Sequence, residues 1–262
     1  MSNNIVWLAL WLDAPLQSWG FESRFERRHT TMFPTKSGVL GLGLAAMGVP
    51  KGSDRERDTL AAFAGPGMVC ARIPRWNQRR KNQPLPVRRL TDYHTILSTR
   101  TADNPKPRKD DTVQSWRDYL MDARFGVLLP GKSATVEEAA RALIDPIWGV
   151  WLGRKSCPPA TPLLVRAPDL ECASGVFPNR KASERALLQH LSKLDGIDVT
   201  ELPPFKDFPR LEDVADFKDG TDTWNDQPLS FGTGNSSGVE GREFAPRRVA
   251  VSLATQAKPD DG

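Results

Sequence analysis

Residues able to bind an anion stand together at Thr35-Lys36-Ser37-Gly38, directly before an apolar run that is typical of a buried helix. The first N–H groups of a helix lack intrahelical partners and the helix dipole is positive there, so a phosphate can sit against them, with Thr35, Lys36 and Ser37 as further donors. The glycine spacing of a Walker A loop is missing, which argues against a nucleoside triphosphatase. The alternative is that Thr35 and Ser37 are ordinary helix caps.

A second group of candidates places an aromatic ring beside cations. Ser18 and Trp19 precede a polar stretch that contains Arg27 and Arg28. Stacking surfaces interleaved with Arg and Lys are how proteins hold single-stranded RNA. The alternative for Trp19 is a core residue beneath an exposed loop.

The third candidate segment is predicted to be a short strand that runs into a basic turn. It contains Trp151, Gly153, Arg154, Lys155 and Cys157. The glycine permits close backbone approach, and the two cations can contact phosphate. The cysteine is followed by two prolines and has no partner cysteine nearby, so a redox role is not expected.

A catalytic role would depend on few histidines, because the chain contains only three. A metal-free ribonuclease needs a general base and a general acid near the scissile phosphate, and His29 with Lys36, or His94 beside Tyr93, is a candidate pair. A lone histidine in a polar loop more often only donates a hydrogen bond or contacts phosphate. Neither the isolated cysteines and histidines nor the acidic residues of 201–243 match a metal template. The sequence therefore predicts no metal and no cofactor.

The charge of the chain is unevenly distributed. Its 262 residues include 36 Lys or Arg and 32 Asp or Glu, a formal charge of +4. Residues 1–120 hold 19 basic and 11 acidic residues, and the window 72–117 alone holds 12 and 4. A basic cluster in a nearly neutral protein suggests an anionic partner such as nucleic acid, the alternative being a solvated surface.

The composition also bounds the class of protein. Hydrophobic residues make up 39% and charged residues 26%, as in a globular protein with a sizeable core. No apolar stretch approaches the ~20 residues that span a membrane, and the N-terminus lacks the basic region of a signal peptide. Three cysteines without paired spacing suggest reduced thiols. We therefore expect a cytoplasmic protein with no membrane partner.

Alternating strand and helix patterns must position these candidates. The near-continuous apolar run at 4–12 is typical of a central strand whose two faces are both covered. Ser133 is expected to cap its helix, and 201–243 is predicted to form loops around short strands. Strands are predicted at 4–12, 69–73, 88–98, 112–129, 148–152, 163–165 and 249–253, and helices at 35–48, 133–144 and 182–194.

This order predicts an α+β fold compatible with a β-α-β-β-α-β ferredoxin-like (RRM-type) unit, a common RNA-binding architecture. We expect a single palm domain over 1–253 and a disordered tail over 254–262. A basic hairpin insertion at about 91–119, with its turn at 103–106, is expected to project from the core. Arg108 and Lys109 are its candidate RNA contacts.

Five segments, in order along the chain, resemble the fifth CRISPR-associated (Cas) protein family in its type I-E (Cascade) branch. They cover roughly residues 5–165, and five ordered blocks are far more specific than one. They are LDAPLQSWG at 12–20, FPTKSGVLGL at 33–42, DYHT at 92–95, TVQSWRDYLMDA at 112–123 and WLGRKSCP at 151–158.

The resemblance implies a ferredoxin-like palm with the hairpin as a thumb. It also implies a non-catalytic subunit that grips the 5′ handle of CRISPR RNA and caps the backbone filament of a Cascade surveillance complex, for defence against foreign DNA. The implied partners are CRISPR RNA, a backbone (CasC-type) subunit, a large (CasA-type) subunit and, through the complex, target DNA. The handle-binding positions that it implies are Ser18, Trp19, Arg27, Arg28, Thr35, Lys36, Ser37, Gly38, Trp151, Arg154, Lys155 and Cys157.

Some features depart from the family pattern. The segment 75–86 is more basic than expected, and 166–243 matches weakly. Some relatives carry a fused C-terminal HNH nuclease, which is not expected here because no histidine follows His190.

Two alternatives stay open. One is a metal-independent endoribonuclease that processes CRISPR repeat RNA, as relatives in the type I-C branch do, and it would use His29, Tyr93 or His94, and Lys36. The other is a basic scaffold that binds only protein.

Overall fold

The computed structural model describes residues 4–20, 26–76, 84–97, 112–166, 175–232 and 241–253. The strands are β1 (Ile5–Asp13), β2 (Leu16–Gln17), β3 (Arg27–Arg28), β4 (Val69–Arg72), β5 (Arg75–Trp76), β6 (Pro84–Leu85), β7 (Arg88–Leu97), β8 (Thr112–Met121), β9 (Arg124–Lys132), β10 (Val176–Phe177), β11 (Arg210–Asp213), β12 (Asp222–Phe231) and β13 (Arg242–Ser252). The helices are α1 (Lys36–Ala46), α2 (Asp54–Ala62), α3 (Ser133–Ile144) and α4 (Arg180–Asp195), and three single turns of 3₁₀ helix lie between residues 199 and 219.

Strand β1 lies inside the large sheet, as its apolar run predicts. Successive side chains of a strand point to opposite faces. Leu8, Leu10 and Leu12 therefore join one core with residues of α1 and α3, while Ala9 and Trp11 join a second core with residues of α4. Both faces of the strand are covered by helices, which is why almost every side chain in it is apolar.

The large sheet has seven antiparallel strands in the order β10-β1-β9-β4-β11-β13-β12. The first four strands in this spatial order are β10, β1, β9 and β4. In the chain they occur as β1, β4, β9 and β10, so the order in space is fourth-first-third-second. The helices α1 and α2 connect β1 to β4, and α3 leads from β9 toward β10. The expected α+β class is confirmed.

The C-terminal part of the chain extends this sheet. The segment 201–243 holds more regular structure than the predicted loops around short strands, because β12 alone is ten residues long and pairs with β13. The predicted last strand at 249–253 is correspondingly the end of a longer one. Although burial alone would raise it, hydrogen bonds from Arg180 and Arg210 hold the pKa of the Glu212 carboxyl on β11 below its ordinary value.

Strands β7 and β8 form a long antiparallel pair from Arg88 opposite Met121 to Leu97 opposite Thr112. The predicted single strand over 112–129 is in fact two strands, β8 and β9. They are separated at Asp122, whose φ of 53° lies in the left-handed region and turns the chain from the hairpin into the large sheet. The expected turn at 103–106 and the tail at 254–262 lie outside the described residues.

Two local predictions are wrong, a third holds only as a single bridge, and one helix was not predicted. Residues 148–152 form no strand, and 163–165 contribute only one bridge, from Leu164 to Leu10. Ser133 is the first residue of α3 rather than its cap, and its hydroxyl bonds Glu137. Helix α2 was missed, although Ser53 followed by Glu56 is a helix-start spacing.

Candidate nucleic-acid interface

Three segments that are distant in sequence meet along β8. The Ser18 hydroxyl donates to the backbone carbonyl of Asp118 at 3.0 Å, and the Arg154 guanidinium donates to the same carbonyl at 3.2 Å. A second nitrogen of Arg154 donates to the carbonyl of Arg28 at 2.8 Å. Strand β3 itself runs parallel to β8 beside Trp116. Two of the predicted basic segments and the hairpin therefore share one surface.

Gly153 allows the 151–157 turn to lie against the 17–20 loop. Its φ is 99°, and a Cβ at this position would lie 1.6 Å from the carbonyl oxygen of Ser18. The Ser18 N–H also donates to the Leu152 carbonyl at 3.1 Å. The close approach that the sequence indicated for this glycine is thus to the protein's own backbone.

Arg154 joins the turn to the hairpin. Its guanidinium lies over the Tyr119 ring, 4.7 Å from the centroid, in addition to its two bonds to backbone carbonyls. An arginine has five N–H donors in a planar fork, so a phosphate can still be bound by the donors that remain. These contacts, however, mainly hold the 151–157 turn in place against β8.

Two cation–ring pairs lie on the segments that meet at β8. Arg27 lies over the Trp116 ring at 5.7 Å from its centroid, and Tyr93 of β7 packs against the same ring at 5.3 Å between centroids. Lys155 lies over the Trp151 ring at 5.7 Å. Both cations are exposed. Such pairs offer both phosphate contacts and stacking faces for a single strand.

Trp19 differs from the expected stacking residue because it is 1% exposed. Its ring packs against the start of α1, where a Cβ on Gly38 would lie 2.9 Å from it. Its Nε1–H donates to Gln17 Oε1 at 3.1 Å, and its backbone is bound to Thr30 and Thr31. The core alternative is therefore the correct one for Trp19, which supports the loop from beneath.

Cys157 is also buried, so its thiol is not a surface contact. Burial raises the pKa of the thiol above its ordinary value, which keeps it protonated. Its backbone N–H donates to the Arg154 carbonyl at 2.8 Å and closes the turn.

The N-terminus of α1 is occupied by groups of the chain itself. Thr35 is the N-cap, and its hydroxyl oxygen accepts the Gly38 N–H at 3.2 Å. The Lys36 N–H donates to the carboxylate of Asp226 at 2.7 Å. An internal carboxylate thus lies where a bound phosphate was expected, because the helix dipole favours any anion there. Ser37 is half-buried beside Thr35.

Lys36 is not the surface phosphate contact that the sequence predicted. Its side chain is 1% exposed, and its ammonium donates to Asp213 at 3.2 Å and to the Gly65 carbonyl at 2.9 Å. Burial lowers the pKa of Lys36, while the Asp213 carboxylate opposes that shift. In this arrangement the ammonium does not reach a phosphate at the surface.

Lys36 and Asp226 belong to a buried network of four charges. Arg247 of β13 binds both Asp213 and Asp226, the latter through two nitrogens, with Nη2 at 2.9 Å. The two cations and two carboxylates balance, and all four side chains are at most 7% exposed. The network ties the start of α1 to β11, β12 and β13, so the segment that matched the family weakly completes the core.

His29 and Asp118 form a polar pair on the exposed side of the interface. His29 Nδ1 lies 2.9 Å from an Asp118 carboxylate oxygen, and the Thr91 hydroxyl donates to the other oxygen at 2.7 Å. Although burial alone would raise it, these bonds hold the pKa of Asp118 below its ordinary value. The His29 side chain is 61% exposed. His94 bonds Asp92 instead, so the two histidines have separate partners.

Sequence reasoning missed Trp116, Asp118 and Tyr119 as parts of the site. The signal was present in the 112–123 segment, since residues two apart in a strand share a face and place Trp116 beside Asp118 on one side. The hairpin candidates Arg108 and Lys109 lie outside the described residues.

The described residues lack two further features. No three His, Cys, Asp or Glu side chains in the described ranges gather in a way that could hold a metal ion. In the same part of the chain, no helix has the length and apolar character to cross a membrane.

Fold and surface together define an α+β protein with a cation-and-aromatic face at the root of a long hairpin. A family model described as CRISPR-associated protein (Cas_Cas5) matches residues 7–249. The CRISPR system Cascade subunit CasD of Escherichia coli (strain K12) is 33% identical over 162 residues, which are 61% of this chain and 70% of that protein. The chain therefore belongs to the CRISPR-associated protein (Cas_Cas5) family, and the predicted family resemblance is confirmed.

Two solved structures are similar over most of both chains. One, described as a CRISPR RNA-guided surveillance complex, has a TM-score of 0.64 at 25% identity and covers 95% of this chain and 90% of that chain. The other, described as a crystal structure of a Cas protein, has a TM-score of 0.56 at 27% identity and covers 94% of each chain.

Proposed function

We propose that this chain is a non-catalytic, cytoplasmic, RNA-binding subunit of a type I-E-like Cascade surveillance complex. It grips the 5′ handle of CRISPR RNA and caps the backbone filament, next to a CasC-type and a CasA-type subunit. The observation that carries the proposal is that two exposed cations, Arg27 and Lys155, lie over the rings of Trp116 and Trp151 on segments that hydrogen bonds join at β8, with Arg28 exposed beside Arg27. Family membership supplies the identity of the RNA.

The proposal includes a ferredoxin-like palm with a thumb. The fourth-first-third-second strand order of β10, β1, β9 and β4, with α1 and α3 together in one core, supports the palm. The β7–β8 pair, which is the insertion between β4 and β9, supports the thumb. Residues 1–253 are proposed to form one domain, since the charge network joins the C-terminal strands to α1.

Within the proposed RNA-binding set, the structure supports different tasks for different members. Arg27, Arg28, Trp151 and Lys155 are the RNA contacts, and Arg108 and Lys109 of the thumb remain proposed contacts. Ser18 and Arg154 position the 151–157 turn. The buried members, which act from the interior of the fold, are Trp19, Thr35, Lys36 and Cys157, while Ser37 and Gly38 are half-buried at the start of α1.

The test uses the complex co-expressed with its own CRISPR array. Arg28→Ala and Lys155→Ala should each weaken binding of a repeat-derived RNA and lower the slope of log affinity against log salt by about 0.7 for each phosphate that is no longer bound. Arg185→Ala, an exposed arginine on α4, is the matched control. Lys36→Glu is unsuitable because it would disturb the buried network rather than an RNA contact.

Unchanged RNA content and an unchanged salt slope in the Arg28→Ala, Lys155→Ala double variant would refute the RNA contacts. If RNA also failed to crosslink to any part of the 75–117 segment, a scaffold that binds only protein would replace the proposal.

The endoribonuclease alternative has one supporting observation, the hydrogen bond between His29 and Asp118 beside the basic face. A carboxylate that orients a histidine is an arrangement used in general base catalysis. The pairing of His29 with Lys36 is not supported, because Lys36 is buried against Asp213. Incubation of the purified chain with repeat RNA in EDTA decides the matter: site-specific cleavage that disappears in His29→Ala would favour the enzyme.

A further inference from the structure

A groove of about 760 Å³ opens at the root of the hairpin. Its walls come from the end of β4, the small β5–β6 sheet, the start of β7 and the segment 203–209. Strand β7 pairs with one edge of β8, whereas β2 and β3 pair with the other. The groove and the proposed RNA contacts on β3 are therefore associated with opposite edges of β8.

The walls of the groove are mainly aliphatic. Apolar lining side chains include Ile73, Leu85 and Val87, five prolines also contribute, and the rings of Trp76 and Phe208 complete the apolar lining. Leu85 is 47% exposed. Proline has no N–H, so walls of this composition favour apolar contact over hydrogen bonding.

The groove contains an arginine for which the described residues offer no acidic partner. Three arginines line it, and two of them are paired: Arg75 with Asp13, and Arg88 with Asp122 at 3.5 Å. The Arg72 guanidinium is half-buried and donates to no acceptor among the described residues. Burial lowers the pKa of Arg72, and no neighbouring charge in the described ranges offsets this effect. A partly desolvated, uncompensated cation favours a carboxylate or phosphate brought by an occupant.

The same wall contains one buried donor that is unsatisfied. The buried Nε1–H of Trp76 has no acceptor in the described part of the chain. Buried donors are normally paired, so this indole N–H, beside the half-buried Arg72 cation, indicates that an acceptor-bearing group belongs in the groove.

The charges of the groove distinguish a peptide from a nucleic acid. The three lining arginines are accompanied by Asp122 and Asp207, and Asp13 pairs with Arg75 from outside the lining. Among the described residues the balance is close to neutral, unlike the basic paths that follow a phosphate backbone. One carboxylate together with aliphatic side chains fits the Arg72 guanidinium and the apolar walls.

We propose that this groove docks an extended segment of a partner protein that carries aliphatic side chains and one aspartate or glutamate, with that carboxylate bound by Arg72. The proposal is independent of the RNA contacts. Five lining residues come from the described ends of the 75–86 segment, which departs from the family pattern: Arg75, Trp76, Pro84, Leu85 and Pro86.

The experiment pans a phage-displayed random heptapeptide library against the purified full-length chain. Enriched sequences should share one acidic residue flanked by aliphatic ones. A fluorescein-labelled peptide of that consensus should lose at least tenfold in affinity to Arg72→Gln, and should bind more weakly to Leu85→Glu, which adds a negative charge to the exposed wall. Arg185→Ala is the control and should bind as the wild type does. Thermal unfolding of each variant verifies its fold.

Three outcomes would overturn the proposal. The first is a library without an enriched consensus, and the second is a consensus without an acidic residue. The third is peptide binding that both Arg72→Gln and Leu85→Glu leave unchanged. Hexauridylate is titrated in parallel, and binding that is lost on Arg72→Gln while peptides do not bind would assign the groove to nucleic acid instead.

Discussion

Replacing Asp226 with alanine should destabilise the protein strongly, because this carboxylate is shared by two buried donors. It accepts the Lys36 N–H at 2.7 Å and two nitrogens of Arg247, and its side chain is 1% exposed. In Asp226→Ala the first turn of α1 loses its anion. Arg247 then keeps only Asp213, and the network carries an uncompensated positive charge.

The magnitude follows from the cost of leaving a buried charge without its partner. Removing one member of a buried ion pair costs about 3–5 kcal/mol. For a chain of this size 1 kcal/mol corresponds to roughly 2–4 °C in Tm, so the expected decrease is on the order of 10 °C. The change is a large part of the roughly 5–15 kcal/mol that stabilises a typical protein.

The assay is urea unfolding followed by tryptophan fluorescence, with calorimetry for Tm. Glu138→Ala is the matched control, because Glu138 pairs with Arg55 at the surface, where the side chains are 47% and 53% exposed. An exposed pair of this kind contributes at most about 1 kcal/mol. In a double-mutant cycle, Asp226→Ala with Arg247→Ala should cost less than the sum of the single variants by about 1 kcal/mol or more.

A loss below about 1 kcal/mol in Asp226→Ala, or strict additivity in the cycle, would refute the reasoning. Either result would mean that water or another group replaces the carboxylate at the start of α1, and that the network does not join the C-terminal strands to the core.

Three further predictions concern the turn, acid stability and stacking. Gly153→Ala should lower the free energy of unfolding by about 2–5 kcal/mol, because its Cβ would overlap the Ser18 carbonyl. Gly41→Ala, at an open position inside α1, should raise it by about 0.5–1 kcal/mol. Urea unfolding measures both changes. The lowered pKa of Glu212 contributes stability that is present above its unfolded pKa near 4.5 and is lost as pH falls through the lower folded value. The free energy of unfolding should therefore depend less on pH between about pH 5 and 3 in Glu212→Gln, and an unchanged pH dependence would contradict this assignment. Trp116→Ala should weaken RNA binding by about 1–3 kcal/mol, measured by fluorescence anisotropy, if its ring stacks on a base.

Local sequence patterns predicted β1 and β4, parts of β9 and β13, and three of the four described helices, but did not locate β10, β11 or β12. The run at 4–12, the Thr35 cap with Gly48 beyond the helix end, and the strand at 88–98 were recognised because each depends on residues near in sequence. The strand predicted at 148–152 failed because tertiary contacts decided it. There the backbone of Leu152 bonds to Ser18 and Cys157 and forms no sheet.

The roles of individual side chains were less predictable than the elements that carry them. The type and position of Lys36 indicated a phosphate contact, yet its partner Asp213 lies 177 residues away. Nothing near Lys36 in sequence distinguishes a lysine that will be buried by later strands from one that remains exposed. Trp19 was similarly ambiguous, and only the packing of Gly38 against its ring decided that it belongs to the core.

By itself, then, the sequence determined the family, the α+β class, the two-sided burial of β1 and the basic character of the hairpin region. These follow from composition, periodicity and ordered motifs, which are properties of local segments. Only the tertiary structure decided that Arg28 and Lys155 lie on the surface, while Lys36 is buried in an ion pair with Asp213. The physical reason is that burial and pairing depend on segments far apart in the chain, whose contacts are set by the packing of the whole fold.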